Sequence, residues 1–551
     1  MALLARPASL ARAAARRRAV GASARSIFGG VAPRDLPAPA ALRVVVRGMR
    51  FESMTESVKE KRKKEKNKAS ALARALAKDI LACKTPNAVL YLFEKHGDKF
   101  SEVAIVAAMH RCAQLAPTTP LMNRPGLPGV TDPRLELMTE LVTLKLAGVK
   151  PGLLADAAWA VAKIGNIAAA RELLEAVAYE ALATGDPADP KLIERFSADE
   201  ISTTVWAFAT AGIEVSRLFK DASVLVIDRI EEFDAQALVN TIWAYSQAKH
   251  DSPALFRAVA LAVPRKMAQV KLPKHSAPWQ THDGSKFDKR GDAIKSGAIH
   301  VDSYRPPPRS DDFTPEDLAL TAWAFARAGV DAPELFHALM YDALAKIADF
   351  SGQNLANMAW AYSTAGFEAP QLLEAVADEA LGKIDAFLPQ DLSTTVWAFA
   401  KAGVSSPALF EAVAAEALVG KVKFFNSVDY ANTVWAFATA GIEAPLLFEA
   451  VAEEAPKKMH KFRSEELTNI AWAFATAKID APLLYNRVAA EATKKIDTFA
   501  PHTLERLHAA FISAKVDAPR LFEAIRKRIP TEAAAVETAV ETEAPRNPFF
   551  S

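Results

Sequence analysis

At two fixed distances from a recurring tryptophan, this chain varies its letters while those between them stay nearly constant. Three residues before the anchor stand Asp156, Thr203, Asn240, Leu320, Asn357, Thr394, Asn432, Asn469 and Arg506. Four residues after it stand Lys163, Thr210, Gln247, Arg327, Thr364, Lys401, Thr439, Thr476 and Ser513. At ~100° per residue both positions share one helix face with the position seven before the anchor, occupied for example by Gln390. Amides and hydroxyls on such a face meet base edges, planar side chains stack, and Lys or Arg meets phosphate. Helical-repeat proteins that read single-stranded RNA one base per repeat use this chemistry. Thr203, Asn240, Asn357, Thr394, Asn432, Asn469, Arg506, Arg327 and Lys401 are therefore the candidate RNA contacts. The plainer alternative is that small polar residues cover the outer side of any stacked helix, or bond to the neighbouring repeat.

The anchors that set these positions are Trp159, Trp206, Trp243, Trp323, Trp360, Trp397, Trp435 and Trp472, with Ala509 in the same register. Their spacings are 47, 37, 80, 37, 37, 38, 37 and 37 residues. A unit of about 37 residues is repeated. The two long steps hold polar, Gly-, Pro- or Asp-rich stretches, "ATGDPADPKL" and the segment from Pro273 to Asp312, as loops between repeats should. Before Trp159, "FSEVAIVAAMHRCAQLA" has the look of an eroded copy, giving about nine units with the first degenerate.

Each unit predicts two helices. The first runs through "PQDLSTTVWAFAKAG", with Asp391 or the residues just before it as cap and Gly403 where a left-handed residue ends the helix. Gly165, Gly212, Gly329, Gly366 and Gly441 repeat that terminator, and Lys249, Lys478 and Lys515 replace it. Four residues on, Pro253, Pro333, Pro370, Pro407, Pro445, Pro482 and Pro519 open the second helix, where a missing N–H costs nothing. Leu409, Phe410, Val413, Ala414 and Ala417 then form its apolar stripe, and Leu392, Val396, Phe399 and Ala402 that of the first helix. One such pair cannot bury its own apolar face, but stacked pairs can. The expected fold is all-α, an α-solenoid of helix-turn-helix repeats. Trp206, Trp243, Trp323, Trp360, Trp397, Trp435 and Trp472 are its packing anchors, because a large aromatic between stacked helices buries much apolar area.

The 551 residues are 51% hydrophobic and 24% charged, ordinary for a soluble chain with a large core. No uncharged apolar run approaches the ~18–20 residues of a membrane-spanning helix, so no membrane partner is expected. Cys83 and Cys112 have neither the number nor the spacing of a disulfide framework or zinc site. The first 30 residues carry Arg6, Arg12, Arg16, Arg17, Arg18 and Arg25, and no acidic residue precedes Asp35. That composition marks an organelle transit peptide over residues 1–48, directing the chain to the mitochondrial matrix or, as the alternative, the plastid stroma. Residues 1–70 hold 17 Lys and Arg against 5 Asp and Glu, which leaves the rest with 50 against 60 and a mildly acidic body.

The remaining boundaries follow. Residues 49–84 are a basic linker or helix, 85–271 the N-terminal repeats, 272–312 a disordered insert, 313–529 the C-terminal repeats and 530–551 a disordered acidic tail. The lysine run from Val58 is a solvated segment or a basic arm touching RNA backbone or ribosome. His275, His282, His300 and Asp283 match no metal-ligand spacing. No Gly-rich phosphate loop, nucleophile elbow or HExxH pattern is present. No metal, no cofactor and no enzymatic activity are expected. The carboxylates of "EAVAEEA" belong to a solvated face, with Lys457 and Lys458 as nearby opposite charges.

The tandem pattern "LxTTVWAFAxAGIxAPxLFEAVAxEA" resembles the octotricopeptide-repeat proteins of algal organelles and the helical repeats of FAST-kinase-like and RNA-editing substrate-binding-complex proteins. The resemblance spans residues 85–529 and is strongest from 313 onward. It implies sequence-specific organelle RNA binding in RNA stability, processing, editing or translation. The partners would be single-stranded organelle mRNA or rRNA, with the ribosome or RNA-processing proteins besides. It places base contacts on the first-helix face and the tryptophans in the scaffold. Many relatives end in a nuclease-like RAP domain, which "PTEAAAVETAVETEAPRNPFFS" does not resemble. The acidic body favours the rival reading, a non-catalytic protein-interaction scaffold of the organelle, since phosphate contacts usually dominate RNA affinity.

Overall fold

The computed structural model describes residues 76–116, 132–165, 169–183, 190–271 and 312–529. The segment expected to be a transit peptide, the lysine run, nearly all of the insert and the acidic tail lie outside them. The described residues form two units, one reaching Val259 and the other comprising 260–270 and everything from Asp312. Among the described residues there is no strand. Each unit is an α-solenoid of helix pairs, as the 37-residue period predicts.

In the first unit the elements are α1 (Pro86–His96), α2 (Glu102–Leu115), α3 (Pro133–Thr143), α4 (Pro151–Ile164), α5 (Ala170–Leu182), α6 (Ala198–Ala211), α7 (Ser216–Asp228), α8 (Ala235–Ala248) and α9 (Pro253–Lys271), whose residues from Ala260 group with the second unit. The second unit adds α10 (Pro315–Ala328), α11 (Pro333–Lys346), α12 (Gly352–Ala365), α13 (Pro370–Lys383), α14 (Pro389–Ala402), α15 (Pro407–Leu418), α16 (Ser427–Ala440), α17 (Pro445–Glu454), α18 (Ser464–Thr476), α19 (Pro482–Lys494), α20 (Pro501–Ser513) and α21 (Pro519–Arg528). From α10 on, even-numbered helices are the first members of their pairs and pack chiefly on one another, with the second helices as an outer layer.

The first helices end as their sequence dictates. Gly212, Gly329, Gly366, Gly403 and Gly441 take φ of 64–67°, the left-handed region that costs glycine no Cβ clash. Lys249, Lys478 and Lys515 adopt the same turn at φ 52°, 55° and 56° and are the non-glycine residues with positive φ among the described residues. At the other end, Asp391 is the third residue of α14 rather than its cap, and its carboxylate accepts the Leu388 N–H at 2.9 Å. Asp317, Asp429 and Glu466 do the same for Thr314, Asn426 and Arg463.

Two recurring devices close each repeat. Ten residues before the anchor stands a buried phenylalanine, Phe313, Phe350, Phe387, Phe425, Phe462 and Phe499 in the second unit. The Phe387 ring lies where a Cβ on Gly352 would come within 2.6 Å of it, so the first residue of α12 has room for no side chain. A lysine at or just past the end of α11, α13, α15, α17 and α19 then donates to carbonyls in the turn before the first helix, Lys346 to Phe313 O at 2.7 Å. Lys383 reaches Ala348 O and Phe350 O at 2.6 and 2.9 Å, and Lys421 reaches Asp385 O and Phe387 O at 2.7 and 2.8 Å. Lys458 and Lys495 repeat it on Lys423 and Phe425, and on His460 and Phe462. Lys458 is thus a carbonyl clamp rather than a counter-ion of the "EAVAEEA" face, whereas Lys457 pairs with Glu454 at 2.8 Å. The segment read as eroded, with α2 and α3, makes ten helix pairs among the described residues instead of about nine.

Candidate nucleic-acid interface

The face on which the variable letters of α14 lie is the one that reaches solvent there. In α14 the residues that are not buried are Pro389, Gln390, Thr394, Trp397, Lys401 and Ala402, while Leu392, Val396 and Phe399 are sealed against the second layer. Ala402 departs from expectation: it is exposed, because the chain turns away at Gly403 before a further contact can form.

The tryptophans form the floor of this face. Trp323, Trp360, Trp397, Trp435 and Trp472 make a continuous ladder with ring centroids 6.0, 6.5, 6.2 and 6.5 Å apart and planes inclined by 24–39°. Trp206 and Trp243 in the first unit lie 6.2 Å apart. These are distances of direct aromatic contact. Sandwiching a base would need parallel rings about 6.8 Å apart, two stacking steps of about 3.4 Å. The rings therefore hold neighbouring first helices together. His110 stacks on Trp159 with centroids 4.4 Å apart, so it is the anchor of the eroded first copy, 49 residues upstream with Phe100 ten residues before it. Burial keeps its imidazole below the usual range. Histidine in place of tryptophan hid it from the sequence reading, although the phenylalanine spacing marks the place.

Above the floor the candidate residues divide by their partners. Asn357, Thr394 and Asn432 make no hydrogen bond within the protein; Asn357 is only 6% exposed. Four residues past the anchors, Thr210 Oγ1, Thr364 Oγ1 and Thr439 Oγ1 are buried without partners, as is Trp243 Nε1. Thr203 is half-buried, and Asn240 accepts a bond from Gln236 at 3.1 Å. Arg327 and Lys401 lie over the rings of Trp323 and Trp397, 5.0 and 4.8 Å from their centroids, and loss of water lowers the pKa of each. Arg506 instead donates to Asn469 Oδ1 at 3.0 Å and stands 3.8 Å from Glu465.

The turns that follow the first helices carry a recurring exposed carboxylate. Asp331, Glu368, Glu443, Asp480 and Asp517, with Glu214 and Asp251 in the first unit, are exposed in the turns eight residues after the anchors. Their constant spacing is a signal the sequence reading did not use. At the helix starts, burial pushes the Asp391 carboxyl up to about 6, against the pull of its bond to the Leu388 N–H.

No described helix is long and apolar enough to cross a membrane. Among solved structures, a homology model of the full-length AP-3 complex in an intermediate open conformation covers 87% of this chain and of its own at 11% identity, with a TM-score of 0.20, too low to carry an argument. No curated protein matches. Residues 301–418, which hold the repeats anchored at Trp323, Trp360 and Trp397, match the profile of the RNA-editing substrate-binding complex 6 protein family, and over that stretch this chain is similar to a helical, RNA-editing-related family.

Proposed function

We propose that this chain is an RNA-binding helical-repeat protein of the mitochondrial matrix, acting in RNA processing, stability or translation without catalytic chemistry of its own. It holds unpaired RNA along the first-helix face and presents it to other factors. The observation that carries this reading is the row Asn357, Thr394 and Asn432, hydrogen-bonding groups without protein partners at the same position of consecutive first helices. The similarity at residues 301–418 and the arginine-rich N-terminus support the RNA and organelle parts of it. A second reading, a scaffold for a protein partner, draws on the recurring exposed carboxylates in the turns after the first helices.

Crosslinking and sequencing of RNA bound in mitochondrial extract separates the two. The chain lacking residues 1–48 should enrich discrete transcripts, and a variant with Asn357, Thr394 and Asn432 changed to Ala should lose or shift them. Because Arg327 and Lys401 are the ring-seated cations of this face, affinity should fall with salt with a log–log slope of about −1.4, two phosphates at about −0.7 each. Background crosslinking for both proteins would leave the scaffold.

A further inference from the structure

We infer that base reading in the second unit is confined to three consecutive repeats, those anchored at Trp360, Trp397 and Trp435, and that the last two repeats lock the groove shut instead of reading. The inference rests on the RNA-binding reading above and narrows it to a window of three unpaired nucleotides.

Asn357, Thr394 and Asn432 occupy the place three residues before their anchors, and none is engaged by the protein. An amide there offers two donors and an acceptor to a base edge, and a hydroxyl offers one donor and two lone pairs. In the next repeat the same place holds Asn469, whose Oδ1 accepts from Arg506 Nη2 at 3.0 Å. Arg506 occupies the equivalent position one repeat further on and also faces Glu465 Oε2 at 3.8 Å. The other oxygen of Glu465 accepts from Thr503 Oγ1 at 2.9 Å. Four side chains of α18 and α20 thus satisfy one another across the boundary between the two repeats. A base arriving at Asn469 would have to displace a charge-assisted bond, which is stronger than the neutral bond it offers in exchange.

The other end is bounded as well. In α10 the equivalent residue is Leu320, which has no polar side-chain atoms, while Arg327 lies over Trp323. That repeat supplies a phosphate contact but no base contact, so the readers sit between a cation and a lock.

The test uses the full chain and a library of single-stranded RNA oligonucleotides randomised one position at a time. Asn357→Ala, Thr394→Ala and Asn432→Ala should each relax a different position, the three being adjacent, by about 5- to 100-fold, the range for a lost buried hydrogen bond. Asn469→Ala should leave the preference profile unchanged. Asn469→Asp keeps the acceptor for Arg506 and so preserves the fold; it too should give the wild-type profile, whereas Asn432→Asp should change the preference at its position. A relaxed or altered position in either Asn469 variant would overturn the inference while leaving RNA binding intact. Wild-type protein that binds no oligonucleotide above background would remove the RNA-binding reading, and the window with it.

Discussion

Replacing Trp397 with alanine tests whether the tryptophan ladder is scaffold or stacking platform. Trp397 touches two neighbours, Trp360 with centroids at 6.5 Å and Trp435 at 6.2 Å, and carries Lys401 4.8 Å above its ring. Each aromatic pair contributes about 0.5–1.5 kcal/mol beyond area burial, and a cation over a ring about 0.5–1 kcal/mol. Truncating a fully buried tryptophan costs about 3–5 kcal/mol, and this one is half-buried. The expected loss is about 2–4 kcal/mol for Trp397→Ala. For Trp397→Phe, which keeps both ring contacts in reduced form, it is about 1 kcal/mol. Urea unfolding followed by far-ultraviolet circular dichroism measures both, and hydrogen exchange should place the loosened amides in α12, α14 and α16. RNA affinity of the phenylalanine variant should stay within about threefold of wild type. The scaffold argument fails if Trp397→Ala abolishes RNA binding while changing stability by less than about 0.5 kcal/mol, because the ring would then be contacting bases rather than its neighbours.

Two further outcomes follow from the backbone and the buried charges. Lys478→Gly should stabilise the chain by about 0.5–1 kcal/mol, since relief of a left-handed lysine at φ 55° outweighs the entropy of a new glycine; Gly403→Ala, with nothing within 4 Å of its added Cβ, should destabilise by a similar amount. Urea midpoints moving in the same direction for the two variants would refute this backbone argument. Asp391 has a folded pKa of about 6, above its unfolded value, so the stability it contributes is present below pH ~4 and lost as pH rises through about 6. Asp391→Asn should therefore flatten the change in urea midpoint between pH 4 and 7, and an unchanged profile would reject burial as the cause.

What was legible in the sequence was whatever repeats in type and at constant spacing. The anchors gave the period, glycine and proline gave the helix ends, and ~100° per residue put Gln390, Thr394 and Lys401 on one side, where the structure exposes them. What escaped notice involves partners that periodicity does not name. The clamping lysines bind backbone carbonyls 33–36 residues away, and a carbonyl has no letter. His110 does the work of a tryptophan with a different letter. The bond between Arg506 and Asn469 is visible in principle, since a donor and an acceptor occupy the same position in adjacent repeats, but the letters alone do not say which of these positions pair across repeats.

The lysine clamp has a bearing on how such an array grows. A segment of 37 residues cut from Ile347 to Lys383 contains Lys383 together with its acceptors at Ala348 and Phe350, and the segment from Met459 to Lys495 contains Lys495 with His460 and Phe462. Each duplicated copy brings its own fastening and borrows none from its neighbours. A gene that stutters by whole units at these boundaries would add or lose rungs without leaving an untied end, which makes the length of the groove an easy quantity for evolution to adjust.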